Sequence, residues 1–169
     1  MASVARRHQQ LAAEITRLDA MLDELVRHAA PDGFLAKKGV ATQVAATLLA
    51  TTGDNPGRIR KEVSFAALCG ASPVDASSGK QLRHRLNRGG DRQANSALWT
   101  IAMTRLAHDP RTKAYAARRT AEGKTKKEII RCLKRYIARE IYKALCRPQR
   151  PRMPSAPKIK QDLSARVLT

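Results

Sequence analysis

TKKEIIRCLKRYIAREIYKAL, residues 125–145, is the stretch that decides the fold. It opens with Thr125-Lys126-Lys127-Glu128, the form of a capping box. In such a box a hydroxyl and a carboxylate three positions apart satisfy free N–H groups at a helix start. Ile129, Leu133, Ile137, Ile141 and Leu145 follow at intervals of four, so they share one helical face and that face is core. The remaining surface carries Lys126, Lys127, Arg131, Lys134, Arg135, Arg139 and Lys143 against only Glu128 and Glu140. A solvated helix can carry snorkelling cations for no further reason. Such an excess on one helix favours a polyanionic partner.

Moving towards the N-terminus, residues 95–108 form a second helix, with Leu98, Ile101, Ala102 and Leu106 as its core stripe and Trp99 beside it. Asp109-Pro110 ends it. A further short helix is expected to begin at Tyr115–Arg119 and to break at Gly123. Upstream lies SSGKQLRHRLNRGGDR, residues 77–92. It combines small hydroxyls, three glycines and the cations Lys80, Arg83, Arg85, Arg88 and Arg92. Low helix propensity and dense positive charge predict a loop or short hairpin lying along a phosphate backbone. The apolar segment 63–69 before it stops at Gly70-Ala71-Ser72-Pro73.

Residues 34–53, FLAKKGVATQVAATLLATTG, predict an apolar turn, a break at Gly39 and a helix carrying Val44, Leu48 and Leu49. This is a helix–hairpin–helix-like unit, whose glycine turn can offer backbone N–H groups to a phosphate. Ala41 stands where the usual pattern has a second glycine. A DNA-contacting hairpin and a purely structural corner both fit. Residues 52–57 are a loop by composition. Between His8 and Ala29, Leu11, Ile15, Leu18, Leu22 and Leu25 fall on one stripe, and Pro31-Asp32-Gly33 ends that helix. A short coiled coil and an amphipathic helix packed on its own domain both fit the stripe. Pro148, Pro151, Pro154 and Pro157 mark a disordered tail.

The chain is therefore expected to be mainly α: an amphipathic connecting helix over 1–30, a helical bundle over 31–147 and a disordered tail over 148–169. Its composition agrees. Hydrophobic residues make up 43% but aromatics only 4%, so the core must be aliphatic, and the net charge of +19 points to nucleic acid. Cys69, Cys132 and Cys146 share no metal-ligand spacing and are an odd set, which predicts reduced thiols and no metal site. No apolar run approaches the roughly 18 residues of a membrane span, and no signal peptide opens the sequence. A cytoplasmic protein with no membrane partner is expected.

Several of these motifs occur in an order that resembles a known family. FAALCGASP at 65–73, Ser78-Gly79 and RGGDRQAN at 88–95 look like the C-terminal domain of the IS-one-ten family of bacterial insertion-sequence transposases. Asp109-Pro110-Arg111-Thr112, Arg118-Arg119, Glu122-Gly123-Lys124 and RCLKRYI at 131–137 resemble the end of the same domain. The likeness runs from about residue 8 to 147. It implies a recombinase acting in DNA transposition, in some members guided by a structured RNA. It also implies an N-terminal RNase-H-like domain with four acidic metal ligands, joined through a coiled-coil link. The family's serine corresponds to Ser78, which would attack the DNA backbone. Composition alone leaves Ser77 an equal candidate; the spacing from Pro73 selects Ser78.

The chemistry is compatible with that role. A serine hydroxyl is a weak nucleophile that needs a metal or base, and phosphoryl transfer needs cations such as Lys80, Arg83 and Arg85 around the developing charge. The sequence begins in what resembles the connecting helix. The expectation is therefore that the RNase-H-like half is absent, and that this chain holds no cofactor and does not cut or join DNA alone. Mg2+ would arrive only with that half. Expected partners are DNA (element ends and target), a guide RNA, and a second copy or an RNase-H-like partner chain. The alternative is a stand-alone basic nucleic-acid-binding protein with a regulatory or inhibitory role.

Overall fold

The computed structural model describes residues 2–53, 59–77, 84–85 and 87–146. Within them the chain forms α1 (Ala2–Ala29), α2 (Thr42–Thr52), α3 (Glu62–Leu68), α4 (Arg92–His108), α5 (Pro110–Ala121) and α6 (Lys126–Leu145). The strands β1 (Val74–Asp75) and β2 (His84–Arg85) pair antiparallel, Val74 opposite Arg85 and Asp75 opposite His84. The fold is mainly helical, with this one short strand pair among the described residues. The expected loop at 52–57 falls largely, and the tail at 148–169 entirely, outside the described residues.

α4 is the axis of the bundle, because α2, α5 and α6 all pack on it. Its Ala94, Ala97, Leu98, Ile101 and Ala102 are buried, and the alanines let neighbouring helices approach closely. α6 faces it with Ile129, Leu133, Ile137 and Ile141, the stripe expected from their spacing. Both halves of the capping box form: Thr125 Oγ1 accepts from the Glu128 N–H at 3.4 Å, and the Glu128 carboxylate accepts from the Thr125 N–H at 2.9 Å. Phe34, Phe65, Leu48, Leu98, Ile101 and Ile141 are the largest side chains fully enclosed. Each contributes about 1.5–3 kcal/mol through burial.

Two expectations need correction. α5 starts at Pro110, not near Tyr115. Asp109 caps it by accepting from the Thr112 N–H at 3.0 Å, and Pro110 occupies the first helical position, where a missing N–H costs nothing. Asp-Pro thus ends one helix and starts the next. The segment before α2 is also not helical. Phe34, Lys37 and Val40 close successive turns onto Pro31, Phe34 and Lys37. Phe34 and Val40 are buried there, so the segment folds as an apolar plug, and only the second arm of the expected hairpin is a helix.

α1 runs well beyond its contacts with the bundle. Val26 is buried and Leu22 packs on the core, whereas Leu11, Ile15, Leu18 and Leu25 remain 41–65% exposed. Of the stripe, packing on its own domain thus covers Leu22 alone. No helix of the described residues is long and apolar enough to cross a membrane.

Candidate nucleic-acid interface

Two helix ends and one helix flank build a cleft of about 510 Å³. The first end is that of α3. Gly70 adopts φ +62°, the Ala71 N–H donates to the Ala66 carbonyl at 2.7 Å, and the Gly70 N–H donates to that of Ala67 at 3.0 Å. This pair of bonds is a Schellman cap, and glycine is favoured at its left-handed position. The second end is that of α5, where Gly123 at φ +80° directs the same two bonds from Lys124 to Arg119 and from Gly123 to Thr120. The caps bring Gly70–Pro73 and Lys124 to the cleft, and α6 supplies its floor.

Gly90 locks the first cap in place. A Cβ there would lie 2.2 Å from the Gly70 nitrogen, so the RGGD segment can pass only as glycine. Asp91 then turns the chain into α4. Its N–H donates to the Leu68 carbonyl at 2.6 Å, and its carboxylate caps α4 by accepting from Gln93 and Ala94 at 2.7 and 2.9 Å. Asn95 ties the cap to α6. Its amide donates to the carbonyls of Cys69 at 2.8 Å and Gly70 at 3.1 Å, while its Oδ1 accepts from Lys134 Nζ at 2.8 Å. Beneath this joint, burial pushes the Cys69 thiol up to about 12. Cys69 is a packing residue, not a nucleophile.

The cleft wall is strongly cationic. Arg131, Lys134, Arg135 and Arg139 line it from α6, Arg85 from β2, and Arg119 and Lys124 from the end of α5. Glu128 is the one carboxylate residue that lines it among the described residues. Such crowding raises the local potential and is relieved by an anion. Glu62 supplies part of that relief from α3, pairing with Arg135 and, at 3.5 Å, with Arg139. Lys134 departs from its expected place on an open cationic face. It is only 5% exposed and faces Asn95. Burial, aided by Arg131, holds its ammonium below the ordinary lysine range.

Five of the site residues expected from sequence therefore meet in the cleft: Arg85, Arg131, Lys134, Arg135 and Arg139. Arg88 and Arg92 are exposed but do not line it, and Lys126 and Lys127 are exposed at the start of α6. Ser78, Lys80 and Arg83 lie outside the described residues. Ser77 is described, and both its N–H and its hydroxyl donate to Asp75, which holds that carboxyl below its usual range. Gly39 is a packing residue. Its φ is +86°, and a Cβ would meet the Ile101 backbone at 3.2 Å.

Sequence reasoning passed over Ser72, Arg119 and Lys124 as site residues. Gly123 held the signal for Lys124, because a glycine C-cap fixes where the next residue points. Among the described residues no group of three or more His, Cys, Asp or Glu is placed to hold a metal. These residues do not fit a Mg2+ site.

Fold and site together define a small helical bundle with a cation-lined cleft built around glycine caps. Comparison with known proteins gives that class a family. The family model described as "Transposase IS116/IS110/IS902 family" matches residues 34–117. The insertion element IS110 uncharacterized 43.6 kDa protein of Streptomyces coelicolor is 29% identical over 124 residues, covering 73% of this chain and 30% of that protein. The insertion element IS900 uncharacterized 42 kDa protein of Mycobacterium paratuberculosis is 28% identical over 137 residues, covering 80% of this chain and 34% of that protein. Over residues 34–117 the chain matches the IS116/IS110/IS902 transposase family. It spans about a third of the length of these relatives.

Proposed function

We propose that this chain is the DNA-gripping portion of an insertion-sequence transposase, seating backbone phosphates of element-end or target DNA in the cleft between the Gly70 cap and α6. One observation carries the reading: among the described residues the cleft gathers seven Lys and Arg side chains from three separate elements against one carboxylate residue. Solvated cations spread apart; these converge. His84 and Arg85 of β2, at the C-terminal side of the basic stretch in sequence, line the same wall. Ser78, between β1 and β2 in sequence, is the proposed nucleophile for strand exchange. The acids that hold the catalytic metal belong, in this reading, to an RNase-H-like portion supplied outside the described residues. A guide RNA and a second copy joined along the exposed stripe of α1 complete the proposed assembly.

Titrating the chain into a duplex of about 30 base pairs at several salt concentrations tests the grip. Log affinity is expected to fall linearly with log salt, at about 0.9 per phosphate contacted. Absent or salt-insensitive binding overturns the reading. The nucleophile is tested separately by strand transfer with the RNase-H-like portion supplied, comparing wild type with Ser78→Ala. Equal activity removes Ser78 from the chemistry and leaves the grip standing.

A further inference from the structure

We infer that the floor of the cleft holds one discrete phosphate seat, built from the Lys134 ammonium and the Ser72 hydroxyl, distinct in kind from the exposed cations around it. The inference rests on the nucleic-acid reading of the cleft and narrows it to two residues. It starts from two buried polar groups whose partners are incomplete. Ser72 Oγ is buried and makes no hydrogen bond, although a hydroxyl can both donate and accept. Lys134 is 5% exposed and carries three N–H donors, of which Asn95 Oδ1 takes one at 2.8 Å. No salt bridge reaches Lys134 among the described residues: Glu62 is held by Arg135 and Arg139, and Glu128 by its capping box.

A buried ammonium without a counter-charge and a buried hydroxyl without a partner are each unfavourable alone. Both line the same cleft. Their needs are complementary to one ligand chemistry, a tetrahedral oxyanion with several acceptor oxygens and a negative charge. A carboxylate would satisfy the charge but offers two oxygens on one plane. A phosphodiester offers two non-bridging oxygens that share one negative charge, and two ester oxygens, around one tetrahedral centre. Asn95 fixes the ammonium, because its own amide is held by the Cys69 and Gly70 carbonyls and so presents Oδ1 to Lys134. The Schellman cap fixes Ser72 in turn, its N–H donating to the Ala66 carbonyl at 3.1 Å. Exposed arginines such as Arg88 attract a polyanion without choosing its register. A rigid seat chooses where one phosphate stops.

Ser72→Ala gives a test of opposite signs. Removing an unsatisfied buried hydroxyl is expected to leave thermal stability unchanged or raised, while affinity for the 30-base-pair duplex falls by about three- to ten-fold. Lys134→Met is expected to flatten the salt slope by about 1. Lys143→Met, an exposed change on the same helix, serves as the control. Inorganic phosphate should raise the melting temperature of wild type above chloride at matched ionic strength, and should fail to do so in both variants. If DNA affinity, salt slope and the phosphate effect all survive Ser72→Ala, the seat is overturned and the wider cleft reading stands. If wild type binds no DNA yet keeps the phosphate effect, the seat stands and the cleft reading falls. Should Lys134→Met fail to fold, Ser72→Ala and the phosphate shift decide alone.

Discussion

Two glycine turns with similar sequence credentials have opposite surroundings. Gly39 stands in an apolar plug, with Phe34 and Val40 buried on either side and its own Cα face pressed on Ile101. The helix that follows it begins beside acids: Thr42 donates to Asp23 at 2.7 Å and Gln43 to Asp19 at 3.0 Å. These carboxylates already meet the positive end of the α2 dipole. Gly70 and Gly90, by contrast, close a cap beside an unpaired hydroxyl and a crowd of cations. A glycine turn states only that backbone must come close. Its neighbours decide whether that closeness serves packing or a ligand.

The largest effect should come from Gly90→Ala, because the added methyl would meet the Gly70 backbone at 2.2 and 2.5 Å, where no side chain can give way. A loss of about 3 kcal/mol in urea unfolding is expected; a loss below about 1 kcal/mol would show that the two segments do not interlock. Gly39→Ala combines left-handed strain with a 3.2 Å contact and should cost about 2 kcal/mol. DNA affinity of the folded Gly39 variant should be unchanged, and a large drop would restore this turn as a phosphate site.

Removing charge separates the regions next. Arg131→Ala with Arg139→Ala should flatten the salt slope of DNA binding by about 1 to 2, Arg131 counting fully and Arg139 less because Glu62 already pairs with it. Lys37→Ala should leave it unchanged, because Lys37 pairs with Glu140 at 3.4 Å beside the Arg105–Glu140 ion pair. Equal slopes for the two sets would erase the distinction. Thiol labelling probes the same boundary. Cys132 lines the cleft, while burial raises the thiols of Cys69 and Cys146. Iodoacetamide at neutral pH is expected to modify Cys132 first, and added duplex to slow it; modification unaffected by DNA would place the ligand elsewhere.

The mildest effect is acid sensitivity. The Glu128 carboxyl is held below its usual range by the Thr125 N–H and hydroxyl, and Glu140 by the Arg105 guanidinium. A folded pKa below the unfolded one gives stability that is present above the unfolded value, about 4.3, and lost as pH falls through the folded one. Amide exchange followed downward from pH 5 should therefore open both the α6 start and the plug. Glu128→Gln should remove the pH response at the first alone.

Much of the fold was legible because its signals are local. The capping box at Thr125 and the four-residue rhythm of Ile129 to Ile141 need only their own helix. The site was legible in part. Charge density marked Arg131, Arg135 and Arg139, but nothing in a linear pattern says that Arg119 and Lys124 arrive at the same wall from another helix. The burial of Lys134 was not legible, because an i, i+4 count cannot see Asn95, thirty-nine positions away in sequence. Asp109-Pro110 was read only as a stop, since a stop and an N-cap use the same residues.

Glu62 sits in the first turn of α3 and reaches two arginines of α6. It behaves as a tethered counter-ion. A strand entering the cleft must displace it from Arg135 and Arg139 or share them, and a tethered anion contributes no entropy to bulk solution when it is displaced. The slope of binding against salt will therefore undercount the arginines actually engaged. Glu62→Gln should steepen that slope while strengthening the grip, so that discrimination against weak anions is lost as affinity is gained.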